Sequence, residues 1–384
     1  MTDQPLLSRR AAMTLAAGST ILARAAFAQD EAVRFGSIFA LAGPNASIGR
    51  EALGGAEYAM RKLNAEGVEI AGRRRRFELL NVDDESRTER SVAAAERLIT
   101  RDNVPVLLTP VSSTTTLAVL PIAERNKRLA MSFVAAAPQV VSPENPFSFR
   151  NTLTATMNVA PSVEYLAKER NARTIAYLGR NDDWGRAAGR EIKERAQALG
   201  ARVVVEEYFE PGSTDFFGLL TRVRAANPDA VIGAAFTEDG VAMLRQYREL
   251  RMRPIFLSVA VIWASPVFIN AAGDNLNGVL IASGPTTADT PELAAFREEF
   301  QRATGSAPLP YNTTAYDTVR LVVAAMQAAG STDPERVADR MRNFEYKGVL
   351  QTYRFSNGNQ SQVLITINEV TNRQVRVVSS LMAT

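Results

Sequence analysis

Short apolar runs alternate with amphipathic stretches from Val33 onward, and midway along the chain the alternation starts again. Val33 to Leu41 reads as a strand and Gly43-Pro44-Asn45 as a turn. Gly49 to Glu66 reads as a helix whose small residues Gly54, Gly55 and Ala56 allow close packing on a sheet. Strands at Phe77 to Val82, Val106 to Leu108 and Leu129 to Val134 follow, separated by helices at Thr88 to Arg101 and Thr114 to Arg125. Such a βα repeat builds an open parallel sheet covered by helices. Pro138 to Pro146 breaks the rhythm with three prolines, and Phe147 to Arg150 reads as an extended crossing. The pattern then restarts. Helices are expected at Val159 to Glu169, Gly185 to Leu199, Asp215 to Ala226 and Asp239 to Leu250. Strands are expected at Thr174 to Leu178, Val203 to Glu207, Ala230 to Ala235, Ile255 to Val259 and Val279 to Ala282. Three helices (Pro291 to Ala303, Thr314 to Ala329, Pro334 to Met341) and a strand pair around Ser356-Asn357-Gly358-Asn359 complete the chain. The expectation is an α/β protein of two lobes, each a mostly parallel sheet flanked by helices, closing by hinge bending. Residues 32–149 with 283–348 are assigned to the N-terminal lobe, and 150–282 with 349–384 to the C-terminal lobe.

At 384 residues and 46% apolar content the chain is long enough for two cores, and a net charge of +3 gives no argument for nucleic acid. It contains neither cysteine nor histidine. Disulfides, thiolate nucleophiles and a lipid-anchored N-terminal cysteine are thereby excluded, along with the commonest general base and transition-metal ligand. No cofactor is expected. Residues 1–28 read as an export signal: Ser8-Arg9-Arg10 precedes a weakly apolar run from Ala11 to Ala23, and Ala26-Phe27-Ala28 gives a small-x-small cleavage pattern. The paired arginines look like a twin-arginine signal, although Ala11, Ala12 and Met13 replace its usual followers. The run falls short of the roughly 20 apolar residues that span a membrane. Cleavage after Ala28 would leave an exported, periplasmic protein with a net charge of about +1.

The chemistry concentrates between Val106 and Arg125. Ser112, Ser113 and Thr114 fall where a buried strand hands over to a helix, so hydroxyls and unpaired backbone N–H groups meet at the positive end of a helix dipole. Such a place holds an anion without a metal or basic side chain, or is simply a capped helix. Ligands of open parallel sheets bind beyond the C-terminal strand ends. The segments there are Phe39 to Ile48, Ser112 to Thr114 and Ala135 to Pro138.

Taken together, these residues resemble the Leu/Ile/Val-binding proteins, the periplasmic type I substrate-binding proteins of ABC transporters. Carrying the resemblance are Leu41-Ala42-Gly43-Pro44 with Gly49 and Gly54-Gly55-Ala56, Asp83-Asp84, Pro110-Val111-Ser112-Ser113 with Leu117-Ala118-Val119 and Pro121-Ile122-Ala123-Glu124, Asp183-Trp184-Gly185, Asp215-Phe216 and Ala315-Tyr316-Asp317. It extends from Val33 to the C-terminus. The resemblance implies that Ser113, with Ser112 and Thr114, holds a ligand carboxylate. It also implies that Val134 and Ala136 meet the ligand's main-chain end, and that Ile48, Trp184, Phe236 and Tyr311 line the cleft. Permease and ATPase subunits would be the partners of a monomeric receptor. Two departures bear on the ligand. Where amino-acid binders hold the ammonium with a threonine, this chain has Ala136; their acidic positions fall at about Ala260 and among Ala155, Thr156 and Met157. An ammonium buried without a partner costs several kcal/mol. The expected ligand is therefore a small carboxylate with an aromatic or aliphatic body, unless Asp182, Asp183, Glu238 or Asp239 supplies a replacement anion and admits an amino acid.

Other constellations have duller readings. Arg73 to Arg76 fits a solvated loop, Asp83-Asp84-Glu85 a strand-end turn and Asp317 a buried partner of a helix or loop. A Ser113 nucleophile would lack a histidine base. Three function classes follow: a non-enzymatic solute receptor for an ABC permease, which is favoured; a sensor of the same fold serving a signalling receptor; and an enzyme, which the missing histidine and cysteine oppose.

Overall fold

The computed structural model describes residues 32–284, 290–355 and 358–383. The expected export signal and part of the expected 356–359 turn lie outside them. In chain order the first lobe contains β1 (Val33–Ile38), α1 (Ala46–Glu66), the short hairpin β2 (Glu69–Ile70) and β3 (Arg73–Arg74), and β4 (Phe77–Val82). Next come α2 (Thr88–Glu96), continued by a π-helical turn at Arg97–Arg101, then β5 (Val106–Leu108), α3 (Ser113–Arg125), β6 (Leu129–Ser132) and β7 (Ser148–Arg150). Their parallel sheet has the order β4-β1-β5-β6-β7. The expected crossing at 147–150 is thus also the fifth strand of this sheet.

The second lobe repeats the plan with α4 (Ala155–Lys168), β8 (Thr174–Arg180), α5 (Asp183–Ala198), β9 (Arg202–Phe209), α6 (Phe217–Ala226) and β10 (Ala230–Ala234). It continues through α7 (Thr237–Glu249), β11 (Ile255–Ser258), α8 (Pro266–Ala272) and β12 (Leu280–Ser283). The chain then returns to the first lobe as α9 (Pro291–Thr304), α10 (Pro310–Ala329) and α11 (Pro334–Met341), whose Phe296, Phe300, Val322 and Met341 share a core with Phe35 and Met131. After the hairpin β13 (Glu345–Lys347) and β14 (Thr352–Arg354), β15 (Val363–Thr371) and β16 (Gln374–Ala383) close the second sheet, ordered β16-β15-β12-β11-β10-β8-β9. Among the described strands there, only β15 runs against the rest, pairing antiparallel with β12 on one side and β16 on the other.

Three details differ from the sequence reading. Gly55 packs on α10 rather than on a sheet: a Cβ there would sit 2.0 Å from the Asn312 carbonyl oxygen. The long C-terminal hairpin turns at Asn372 and Arg373, both at positive φ, one strand later than the Asn-Gly expected to mark it. Leu350, Tyr353 and Phe355 pack in the first-lobe core, so we place the last crossing between 355 and 363 rather than at 349.

Candidate functional site

In each lobe the first strand of the βα series lies between the second and the third, β1 between β4 and β5, β8 between β9 and β10. Connections leave such neighbouring strands toward opposite faces and open a crevice at their C-terminal ends. The two crevices face each other. Their loops line one cleft enclosing about 820 Å³, open mouth included. The β5–α3 loop gives it Val111, Ser112 and Ser113, and the segment after β6 gives Val134, Ala135 and Ala136. From the second lobe come Asp182 and Trp184 after β8, Phe236 after β10, and Val259, Ala260 and Val261 after β11. The first two crossings complete the wall with Asn151 to Leu153 and Gly284, the β13–β14 hairpin adds Leu350, Gln351 and Tyr353, and α10 adds Pro310, Tyr311 and Thr314.

Ser112, Ser113, Val134, Ala136, Trp184, Phe236 and Tyr311, all singled out in the sequence, are brought together on this surface. Ile48 and Thr114 are not on it. Ile48 is fully buried in an apolar cluster that also holds Val111, Ala136, Tyr311 and Trp184, so it backs the wall. Thr114 turns to the opposite lobe, where its Oγ1 accepts the Asp183 N–H at 3.3 Å. Trp184 and Phe236 stack on each other at 5.0 Å between centroids and 16° between planes.

The serine turn divides its work. Ser112 caps α3, its Oγ accepting the Thr115 N–H at 3.2 Å and lying 2.8 Å from Thr115 Oγ1. Ser113 opens the helix, and its Oγ accepts the Ala137 N–H at 3.1 Å, leaving the hydroxyl proton to donate into the cleft. Among the described residues four helices begin with residues that line the cleft or cap them from it: α3, α5, α7 and α10. At α5 the positive end is met by Asp182, which caps through the Gly185 N–H at 2.8 Å, and by Asp183. Asp239 and Glu238 occupy the first turn of α7. At α10 the Glu51 carboxylate accepts the Tyr311 N–H at 3.2 Å. Neither α3 nor α10 carries an acid in its own first turn, but Glu51 serves α10, and among these four ends that of α3 alone is met by none. An anion entering the cleft therefore finds its uncompensated positive end at Ser113.

Of the four acids weighed as ammonium partners, Asp182 and Asp239 are engaged by Arg180, and Asp183 and Glu238 lie off the cleft surface. Arg180, 1% exposed at the end of β8, donates Nε to Asp182 Oδ2 at 3.0 Å and Nη1 to Asp239 Oδ2 at 3.4 Å. Burial raises the Asp239 carboxyl above its usual range while Arg180 pulls it back. Asp183 and Glu238 are exposed. Among the described residues Asp182 is the one ionisable acid on the cleft surface, and its charge already faces Arg180. Sequence reading missed Arg180 because it ended the strand at Leu178. A charged residue closing an apolar run, just before Asn181-Asp182-Asp183, was the available signal.

Two buried carboxylates support the wall from behind. Asp317, fully buried, accepts the Val349 and Leu350 N–H groups at 2.9 and 3.0 Å and the Tyr353 hydroxyl at 3.0 Å, fixing the loop that carries Leu350, Gln351 and Tyr353. Burial raises its carboxyl to about 6. Glu51, 7% exposed behind Tyr311, is pushed to about 7 by the same cause. Asp83 and Asp84 hold turns, accepting the Leu41 and Glu85 N–H groups and the Ser86 N–H respectively.

Residues 32–373 match a family model described as periplasmic binding protein. An amino acid binding protein of Pseudomonas aeruginosa is 25% identical over 309 residues, covering 80% of this chain and 82% of its own length. A leucine-, isoleucine-, valine-, threonine-, and alanine-binding protein of that organism is 26% identical over 330 residues, or 82% and 86%. In three dimensions the chain is similar to a solute binding protein of an ABC transporter from Rhodopseudomonas palustris in complex with 3,4-dihydroxy benzoic acid. The TM-score is 0.81 at 20% identity, with 92% of this chain and 98% of the other covered.

Proposed function

Because the chain belongs to the periplasmic binding protein family, non-enzymatic solute binders that act outside the cytoplasm, we propose that it captures a small aromatic or aliphatic carboxylate and delivers it to an ABC permease and its ATPase. One observation carries the ligand class: among the described helix N-termini at the cleft, the serine-capped end of α3 alone is met by no acid, its own or a neighbour's. The ligand carboxylate sits there, receiving the Ser113 hydroxyl and first-turn N–H groups. Charge-assisted bonds of this kind contribute about 1.5–3 kcal/mol each. Trp184, Phe236, Tyr311 and the apolar wall at Val259 to Val261 face the body of the ligand. No uncommitted anion awaits an ammonium among the described cleft residues, since Ala136 and Ala260 offer none and Asp182 faces Arg180.

Binding then draws the lobes together, because the contacts come from both and the closed form gains them all. The twin-arginine-like segment ending at Ala28 would direct the chain to the periplasm with cleavage there. No helix among the described residues is long and apolar enough to cross a membrane. A thermal-shift screen of residues 29–384, unfolded and refolded to strip carried-over ligand, tests the reading. Ligands that bind only the folded state raise the melting temperature. Benzoates and short aliphatic acids are expected to do so. Stabilisation by L-leucine or L-valine but by no acid would mean that Asp182 leaves Arg180 to take an ammonium, and would overturn the ligand class.

A further inference from the structure

Two polar contacts join the lobes beside the cavity, outside the space a ligand would fill. Arg180 of the second lobe extends Nη2 to Asn45 Oδ1 of the first at 3.2 Å, while its guanidinium lies 4.3 Å over the Phe236 ring and binds Asp182 and Asp239. Asn45 stands at the N-cap of α1, where its side chain ordinarily bonds the helix's own N–H groups, yet it makes no capping bond. Only 4% exposed, its side-chain oxygen is turned to the other lobe instead. Thr114, in the first turn of α3, accepts the Asp183 N–H with its Oγ1 at 3.3 Å. That N–H belongs to the first turn of α5, which has no intrahelical acceptor for it. Both contacts therefore exist only while the lobes are together, and neither uses a ligand atom.

We propose that Arg180, Asn45 and Thr114 are positioning residues for cleft closure, a polar clasp that sets how often the empty protein closes and so scales its affinity for every ligand alike. Arg180 joins the two tasks. The cation that orders Asp182 and Phe236 on the cleft wall is the one that reaches the facing lobe, so an ordered wall and a closed cleft favour each other. The apparent dissociation constant rises as the binding-competent fraction falls. Weakening the clasp consequently changes affinity without changing preference.

The cysteine-free chain allows a test that needs no ligand. A Cβ at Gly212 would lie 3.7 Å from that of Pro44 across the lobe boundary, within the Cβ–Cβ span of a disulfide. The pair P44C/G212C, oxidised with glutathione disulfide in the absence of ligand, crosslinks at a rate proportional to the closed fraction. Gly212 has φ of +86°, and the strain of a cysteine there is common to all variants. Adding T114V, in a different loop from either cysteine, is expected to slow crosslinking about two- to ten-fold, the worth of one neutral hydrogen bond, and adding N45A, which takes an acceptor from a guanidinium, about ten-fold or more. T114S, which keeps the hydroxyl, restores the parent rate, and labelling of each single cysteine stays constant. Parent-rate crosslinking in both T114V and N45A overturns the clasp, as does a parent pair that never crosslinks. Failure of the carboxylate reading would leave these rates unaffected.

Discussion

Glu51 and Asp317 are buried carboxylates behind the same cleft wall, and substitution separates them. Both carboxyls are raised, so the folded state holds its protons more tightly than the unfolded chain. Stability is greatest below the ordinary carboxylate range and falls as pH rises, to about 7 for Glu51 and about 6 for Asp317. Glu51 accepts one backbone N–H, which a glutamine oxygen also accepts. E51Q should therefore raise the melting temperature at pH 8, by an equivalent of about 2 kcal/mol, and change it little at pH 4.5. A pH-independent effect would remove desolvation as the cause. Asp317 uses both oxygens for three donors. D317N sets an NH₂ against a backbone N–H and should cost about 1–3 kcal/mol even at pH 8, seen as a lower denaturation midpoint. The dull reading of Asp317 from sequence, a buried partner of a loop, agrees with its contacts. That the loop is part of the cleft was not legible, because the β13–β14 segment carries no signal of where it folds back.

At the scale of elements, the two serines at the start of α3 should dissociate stability from affinity. S112A removes the cap and should lower stability by about 1 kcal/mol. S113A removes a donor to the ligand and leaves the buried Ala137 N–H without its acceptor, so it should weaken binding of an acid about ten- to a hundred-fold and lower the melting temperature as well; calorimetric titration of both variants, with S112A keeping the parent affinity, checks the split. Most elements were legible because buried parallel strands such as Val106–Leu108 are short apolar runs and their helices carry a 3.6-residue stripe. The final hairpin was not. Its tight turn needs two left-handed residues and takes Asn372 with Arg373 where Asn-Gly is the usual signal. Nor did the π-helical turn at Arg97–Arg101 announce itself, since one extra residue per turn leaves Leu98 and Ile99 buried as an ordinary helix would.

For the molecule as a whole, the repeat of one βα plan is what made two lobes readable. It also fixes where their C-terminal strand ends lie, and hence which loops can form a cleft. What stayed hidden was the pairing across the lobes, because Arg180 and Asn45 are 135 positions apart and share no pattern. Within its own lobe Arg180 also engages Asp182 and Asp239, two apparently available acids, and on that engagement the ligand class depends. The most direct test is titration calorimetry of the refolded mature protein with pairs that differ only in the ammonium: 4-methylpentanoate against L-leucine, and 3-phenylpropanoate against L-phenylalanine. The carboxylate alone is expected to bind at least ten-fold more tightly in the better pair, since an ammonium would lose its hydration without gaining a partner. Tighter binding of the amino acid in both pairs would contradict the account.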